Sequence, residues 1–366
     1  MQTQGTDEVV VAAGYGLKVY VEHGHLVVCD GVGRQRRNRR FARATSGLQR
    51  LVVVGHTGFI TLEAMRWLRD VGASFAQIDV DGQLIASSSA ERFHKTDLRR
   101  AQALAPQSGA GLTTMRELVR VKLERQAATA DRLTEELARL DRFGYLPRDP
   151  IPEVIRRQAS ALTDADDLAG VRACESVAGR WYWHLMAHVP LEFEARWSVP
   201  DHWRLGGLRT TVLSGFKSSR KAGAPLHALA NYAYAILENE AVIALETHGF
   251  DPGMGVLHTD KRYRGSLAHD VMEPVRPLAD RLILELIEDR TFRRGDFFET
   301  REGVCRVGPM VARVVASHSC ELRALVEVHV RELAELLGAG VTAPGRRRSS
   351  AAAGKGGRRR VTPRAA

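Results

Sequence analysis

The chain has 366 residues, of which 44% are hydrophobic and 26% charged, with a formal net charge of +10. This is enough for two or three domains and at least one sizeable core, and the composition is ordinary for a soluble globular protein. No apolar run reaches the roughly 18 residues that a membrane-crossing helix needs, and the four cysteines are far apart with no CxxC pair, which excludes a zinc ribbon and a secreted disulfide framework.

The amino terminus, MQTQGTDEVVVAAGYG, carries an acidic pair where a signal peptide needs a basic stretch, so a cytoplasmic protein with reduced cysteines is expected. VVVAA (9–13), LKVYV (17–21), HLVVCD (25–30) and LVVVGH (51–56) are short Val- and Leu-rich runs broken by Gly-Tyr-Gly, His-Gly-His and Asp-Gly-Val-Gly. This punctuation predicts hairpins or a meander. Between two of these strands, RQRRNRRFAR (34–43) packs six arginines into ten residues. Two readings stay open for it, a solvated loop and a hairpin tip that grips phosphate. TLEAMRWLRDVGA (61–73) predicts one helix, with Thr61 as N-cap, Gly72 as stop and an apolar stripe at 62, 65, 68 and 71. SFAQIDVDGQLIAS (74–87) predicts two strands around Asp81-Gly82.

After Arg92 the apolar period lengthens. KTDLRRAQALA, TTMRELVRVKLERQAATADRLTEELARL, ADDLAGVRACESVAGRWYWHLMA, LHALANYAYAILENEAVIALETHG, PVRPLADRLILELIEDR and ELRALVEVHVRELAELLG all predict helices. The expected fold class is α+β, with a β-rich amino-terminal domain over residues 1–92 and a larger all-α domain over 93–340. A basic tail over 341–366 reads as disordered, because Arg, Gly, Ser, Ala and Pro cannot bury enough surface to fold. The tail holds seven Arg, one Lys and no acid, so without it the net charge is about +2. Non-specific attraction to nucleic-acid phosphate is its functional reading, and a solubilising extension the plain one.

Glu175 interrupts the stripe Leu168, Val171, Ala178, Tyr182, Leu185, on the face that should be buried. A buried carboxylate needs a cation, and the plain account pairs it with Arg172 or Arg180 or sets it at the stripe's wet edge. The stretch GVLHTDKRYRGSLAHDVMEP (255–274) then crowds His258, Asp270 and Glu273 together. Asp270 and Glu273, three apart, share one face of a turn, away from the stripe Val271, Val275, Leu278, Leu282, Leu286. Pro274 and Pro277 are expected to place them at a helix's first turn. One imidazole with two or three carboxylates is a donor set suited to Mg²⁺ or Mn²⁺. His269, about 100° round the helix from Asp270, reads as a bystander.

ANYAYAILENEAVIALETHGFDPGMGVLHTDKRYRGSLAHDVMEPVRP (230–277) closely resembles the signature region of the large, catalytic subunit of the CRISPR adaptation integrase. In that family an NY-containing helix leads into DPGxGxLH, a basic loop and SLxxDxxEPxRP. CESVAGRWYW (174–183) resembles the family's glutamate helix, EGxxARxYW, with Ser176 in place of Gly and Gly179 in place of Ala. LVVVGHTGFITLEAMRWLRDVGASFAQIDVDG (51–82) resembles its β-rich domain. The likeness runs in order from about residue 8 to 335, and the tail after about Leu337 falls outside the pattern.

The resemblance implies metal ligands at Glu175, His258 and Glu273 and a further catalytic acid at Asp270. It implies a metal-dependent DNA integrase and endonuclease that inserts short protospacer DNA into a CRISPR array, a 3′-hydroxyl attacking a repeat phosphodiester. It also implies double-stranded DNA (protospacer and repeat) as partner, a homodimer formed through the β-rich domain, and a small ferredoxin-like adaptation subunit. Lys217, Arg220 and Lys221 match a basic family segment and, with Arg262 and Arg264 of the basic loop, are the candidate DNA-binding residues. The alternative is a DNA-binding architectural protein of the same fold with an inactive site.

Overall fold

The structure, a computed structural model, describes residues 8–33, 36–79, 84–88, 96–139, 150–207, 209–211, 221–261 and 264–339. Its amino-terminal part comprises β1 (Glu8–Ala13), β2 (Leu17–Glu22), β3 (His25–Asp30), β4 (Arg37–Phe41), β5 (Leu48–Val54), β6 (Gly58–Ile60), α1 (Leu62–Asp70), β7 (Ser74–Ile78) and β8 (Leu84–Ser88). One sheet runs β1-β5-β7-β8 and the other β4-β3-β2-β6. The expected meander is present in β2, β3 and β4, which are antiparallel. Both sheets also hold parallel pairs that the expectation lacked: β1 and β7 flank β5 in parallel in the first, and β6 joins β2 in parallel in the second. Runs such as Leu51–Val54 are buried on both sides, as parallel strands must be, so they carry no alternation that would announce their partners.

Most of the described arginine run is strand: β4 takes residues 37–41, while Arg36 lies in the connection of the β3–β4 hairpin and Arg43 in the turn after β4. Arg37 and Arg39 lie on edge strand β4 and reach the buried Asp30 at 3.1 and 3.4 Å, while Arg40 meets Glu22 at 3.3 Å. Arg34 lies outside the described residues. Thr61 caps α1 as expected, its hydroxyl accepting from the Ala64 amide at 3.1 Å, and Gly72 follows at φ 74. The core face of α1, however, is Ala64, Trp67 and Leu68, and Leu62 is 89% exposed. The two sheets bury α1 along the side that carries Trp67, whose indole donates to the Gly24 carbonyl at 2.9 Å.

Helices follow: α2 (Thr96–Leu104), α3 (Gly109–Arg139), α4 (Ile151–Ala161), α5 (Leu168–Met186), α6 (Pro225–His248), α7 (Ser266–Met272) and α8 (Arg276–Glu288). A hairpin of β9 (Phe297–Glu299) and β10 (Cys305–Val307) leads into α9 (Pro309–Ala316) and α10 (Ser319–Ala339). The six predicted helices are all present, while α4, α7 and α9 were not expected as separate helices. The long apolar α6 is buried nearly all round and forms the axis of the helical part, as a helix without a polar face must. It contacts α7, α8, α9, α10, the β9–β10 hairpin and strands β7 and β8. No helix among the described residues is long and apolar enough to cross a membrane.

Candidate active site

Three helices bring the site together. Asp167 caps α5 by accepting from the Gly170 amide at 2.7 Å. Val171, Ala178, Tyr182 and Leu185 then pack inward, and Glu175 sits at the edge of that face with its side chain 20% exposed. Neither Arg172 nor Arg180 is its partner. The Glu175 carboxylate meets the ammonium of Lys122 on α3 at 2.5 Å. Arg172 instead donates to the Leu257 carbonyl at 2.8 Å, holding the chain just before His258.

Between α6 and α7, one carboxylate holds the turn at residues 256–258. Gly249, at φ 92, ends α6 in the left-handed conformation that glycine tolerates. A Cβ at Gly255 would come within 2.3 Å of the His258 carbonyl oxygen, so only glycine allows this close turn. The backbone amides of Val256, Leu257 and His258 all donate to the buried Asp270 carboxylate, at 2.6, 3.1 and 3.0 Å. The His258 ring adds a fourth contact, Nδ1 to Oδ1 at 2.6 Å. An acceptor-only carboxylate there fixes the proton on Nδ1 and leaves the Nε2 lone pair facing Glu273, 3.9 Å from Oε1. Asp270, expected among the catalytic residues, is placed as the anchor of His258.

Glu273 is the C-cap of the short α7, so the carboxylates stand at a helix's last turn rather than at the first turn of the long one. The physical reason is a break at residues 273–275, after which α8 starts afresh with Pro277 near its beginning. The break also resets the core face of α8 to Ala279, Asp280, Ile283, Leu284 and Ile287. Glu273 is 1% exposed, with Lys122 at 2.5 Å from Oε2 and Arg276 at 3.2 Å from Oε1. Burial alone would raise its pKa, but Arg276 and Lys122 outweigh that and hold it well below the usual carboxylate range. Burial pulls Lys122 down, yet Glu273 and Glu175 prevail, so its ammonium titrates above its ordinary value.

His269 is no bystander. Its ring centre lies 5.8 Å from that of His258, Arg276 donates to its Nδ1 at 3.1 Å, and Glu238 of α6 stands 3.5 Å from Nε2. Burial, then the charges of Arg276 and Arg264, push it down to about 3, so it is a neutral ring that steadies Arg276. Arg276 also lies over the Tyr234 ring, 5.2 Å from its centre. Tyr234 and Tyr182 donate to the buried Asp280 at 2.5 and 3.0 Å, bracing α5, α6 and α8 behind the site.

The donor set of two carboxylates and one imidazole suits a hard divalent cation. As they stand, no three Asp, Glu, His or Cys side chains among the described residues converge closely enough to hold a metal ion. Lys122 stands between two of them, where Glu175 and Glu273 already share a single cationic centre. The residues therefore fit a divalent cation at the position now held by the ammonium. Among the DNA-binding candidates, Lys221 pairs with Glu302 at 3.4 Å, and Arg264 is half-buried close to His269. Lys217, Arg220 and Arg262 lie outside the described residues. The Gly179 departure is accommodated, since a Cβ there would meet nothing within 4 Å.

Comparison with known proteins gives the family of the chain. A family model described as CRISPR associated protein Cas1 matches residues 10–318. The chain is 28% identical over 329 residues to a CRISPR-associated endonuclease Cas1 of Archaeoglobus fulgidus, covering 85% of this chain and 87% of that one. Its fold is similar to a casposase bound to integration product (TM-score 0.72, 21% identity, 91% of each chain). It is also similar to a chain of a Cas6-RT-Cas1–Cas2 complex (TM-score 0.66, 16% identity, 93% of this chain and 35% of that one). With the matched region spanning both the β-rich part and the carboxylate–histidine site, the chain belongs to the CRISPR associated protein Cas1 family.

Proposed function

We propose that this chain is a divalent-cation-dependent DNA integrase and endonuclease that inserts protospacer DNA into a CRISPR array, a free 3′-hydroxyl attacking a repeat phosphodiester. The observation that carries this reading is the meeting of Glu175 and Glu273 on one cation position with the His258 Nε2 lone pair turned toward it. Bound there, Mg²⁺ or Mn²⁺ supplies Lewis-acid polarisation of the phosphoryl oxygens and of the attacking hydroxyl. Exchange of one phosphodiester for another needs neither ATP nor a protein nucleophile, so the chain's own work is positioning and charge. Asp270 keeps His258 in one tautomer, Arg172 and Gly255 shape the turn that presents it, and Glu238 with His269 steadies Arg276 beside Glu273. Lys221 and Arg264, with Lys217, Arg220 and Arg262, supply cations for the DNA backbone.

The casposase neighbour, whose structure holds an integration product, supports the reaction class, and the Cas1–Cas2 assembly supports a second adaptation subunit. A cytoplasmic homodimer acting with a small ferredoxin-like subunit on double-stranded DNA completes the reading. The rival reading, an architectural protein of the same fold, draws on Lys122 filling the cation position. Strand transfer on a branched DNA substrate, with Mg²⁺, Mn²⁺ or EDTA, separates the two. We expect metal-dependent joining that falls at least about 100-fold in Glu175→Ala, His258→Ala and Glu273→Gln while DNA affinity is kept. Tight DNA binding without joining in either metal, even with the partner subunit added, selects the architectural reading.

A further inference from the structure

The carboxylate pair is held together by a residue that no sequence motif marks. Lys122 lies on α3 among Leu118, Val119, Leu123 and Gln126, and its side chain is 7% exposed. Its stem is therefore packed, with the ammonium at its end between the two carboxylates. That ammonium contacts Glu175 Oε1 and Glu273 Oε2, each at 2.5 Å, so two helices otherwise remote in the chain meet through it. Arg276 covers the other oxygen of Glu273 at 3.2 Å. The two carboxylates and two cations balance one another without any added ion. Without Lys122, the buried Glu273 and its neighbour Glu175 would face each other with Arg276 as the remaining close cation, a strongly unfavourable arrangement at low dielectric.

Two consequences follow from that charge balance. The position between the carboxylates is already a cation position, shaped and desolvated before any metal arrives. A divalent ion added beside Lys122 would have to share the same two oxygens with an ammonium, so both cannot occupy the position together. The long, unbranched lysine stem allows the head group to turn away while the helix stays packed, which a shorter or stiffer cation would not.

We infer that Lys122 is the resident counter-cation of the Glu175–Glu273 pair, holding the pair together in the metal-free protein and yielding its position to the divalent cation. This rests on the metal-dependent reading above and adds to it how the site is kept assembled and why its metal affinity is set by displacement of a lysine.

The test is Mn²⁺ binding to the full chain, followed by the electron paramagnetic resonance signal of free Mn²⁺, with thermal unfolding measured in EDTA and in Mn²⁺. Lys122→Met keeps the length of the stem and removes the charge. We expect it to unfold at a lower temperature than wild type in EDTA, to be restored by Mn²⁺, and to bind Mn²⁺ about tenfold more tightly than wild type. The double variant Lys122→Met, Glu175→Gln, which relieves the repulsion, should regain the wild-type unfolding temperature in EDTA. If Lys122→Met does not fold without metal, recovery of folding in the double variant supports the counter-cation role. A double variant that also fails to fold makes Lys122 a packing residue and overturns it. Mn²⁺ affinity equal to or weaker than wild type in Lys122→Met overturns the displacement while leaving the metal-dependent reading intact. Absence of Mn²⁺ binding in wild type and variant alike removes the metal-dependent reading and this inference with it.

Discussion

Asp270 shows how much one buried carboxylate can organise. Its two oxygens take three backbone amides and one imidazole N–H, all from residues 256–258. The histidine is thereby aimed, and its proton assigned, by a residue whose hydrogen bonds all go to residues 256–258. Asp270→Asn tests this at constant shape. A carboxamide offers one acceptor oxygen and an NH₂ group, so two of the four donors would face another donor. We expect a loss of about 2–4 kcal/mol in stability, seen in chemical denaturation. If the NH₂ turns to the ring, Nδ1 must become the acceptor and the proton moves to Nε2. Strand transfer should then fall about 10- to 100-fold, as for other partners that orient a ligating histidine. Stability and activity both near wild type would remove Asp270 from the positioning account.

Helix α6 works at the scale of the element. It carries Glu238 and Glu240 two residues apart, which sends them to different sides of the helix. Glu238 faces His269 and the site, whereas Glu240 is fully buried and pairs with Arg50 of β5. Arg50 also donates through Nε to Ser74 at 2.9 Å, and burial together with the nearby Arg323 lowers its pKa to about 9, so it remains charged at neutral pH. This pair fastens the amino-terminal sheet to the axis of the helical part. Breaking it from one side, in Arg50→Met, leaves Glu240 buried alone and should cost about 3–5 kcal/mol in denaturant unfolding. Replacing both, in Arg50→Met with Glu240→Leu, should restore most of that, because an apolar pair of similar size avoids burying charge. A double variant as unstable as the single one would show that the cost lies in packing.

For the whole molecule, charge is divided between a nearly balanced folded part and a basic tail. The sequence places eight of the ten net positive charges in residues 341–366. Within the folded part many arginines are committed internally: Arg37, Arg39 and Arg313 converge on Asp30, joining the amino-terminal sheet to α9. Of these, Arg313 is the tie between the two halves, while Arg37 and Arg40 stay about half exposed beside their acidic partners. Deleting residues 341–366 should therefore weaken DNA binding without ending strand transfer. The slope of log affinity against log salt should shrink by about 0.9 for each tail charge that meets a phosphate. An unchanged slope would take the tail out of the DNA-binding account.

The sequence alone determined what periodicity and local chemistry can carry. The change from short apolar runs to helical stripes, the N-cap Thr61 and the stop Gly72, and the crowding of His258, Asp270 and Glu273 are all local patterns. Glu175 was visible as a carboxylate inside an apolar stripe. By the same sign Lys122 was visible too, a lysine between Leu118, Val119, Leu123 and Gln126, though nothing local says that its partners are Glu175 and Glu273. The tertiary structure decided those pairings, the parallel neighbours of β5, the part played by His269 and the role of the arginines on β4. Each depends on which remote surfaces pack together. A buried charge announces in sequence only that it needs a partner, and the fold chooses the partner by bringing helices from distant parts of the chain to one point.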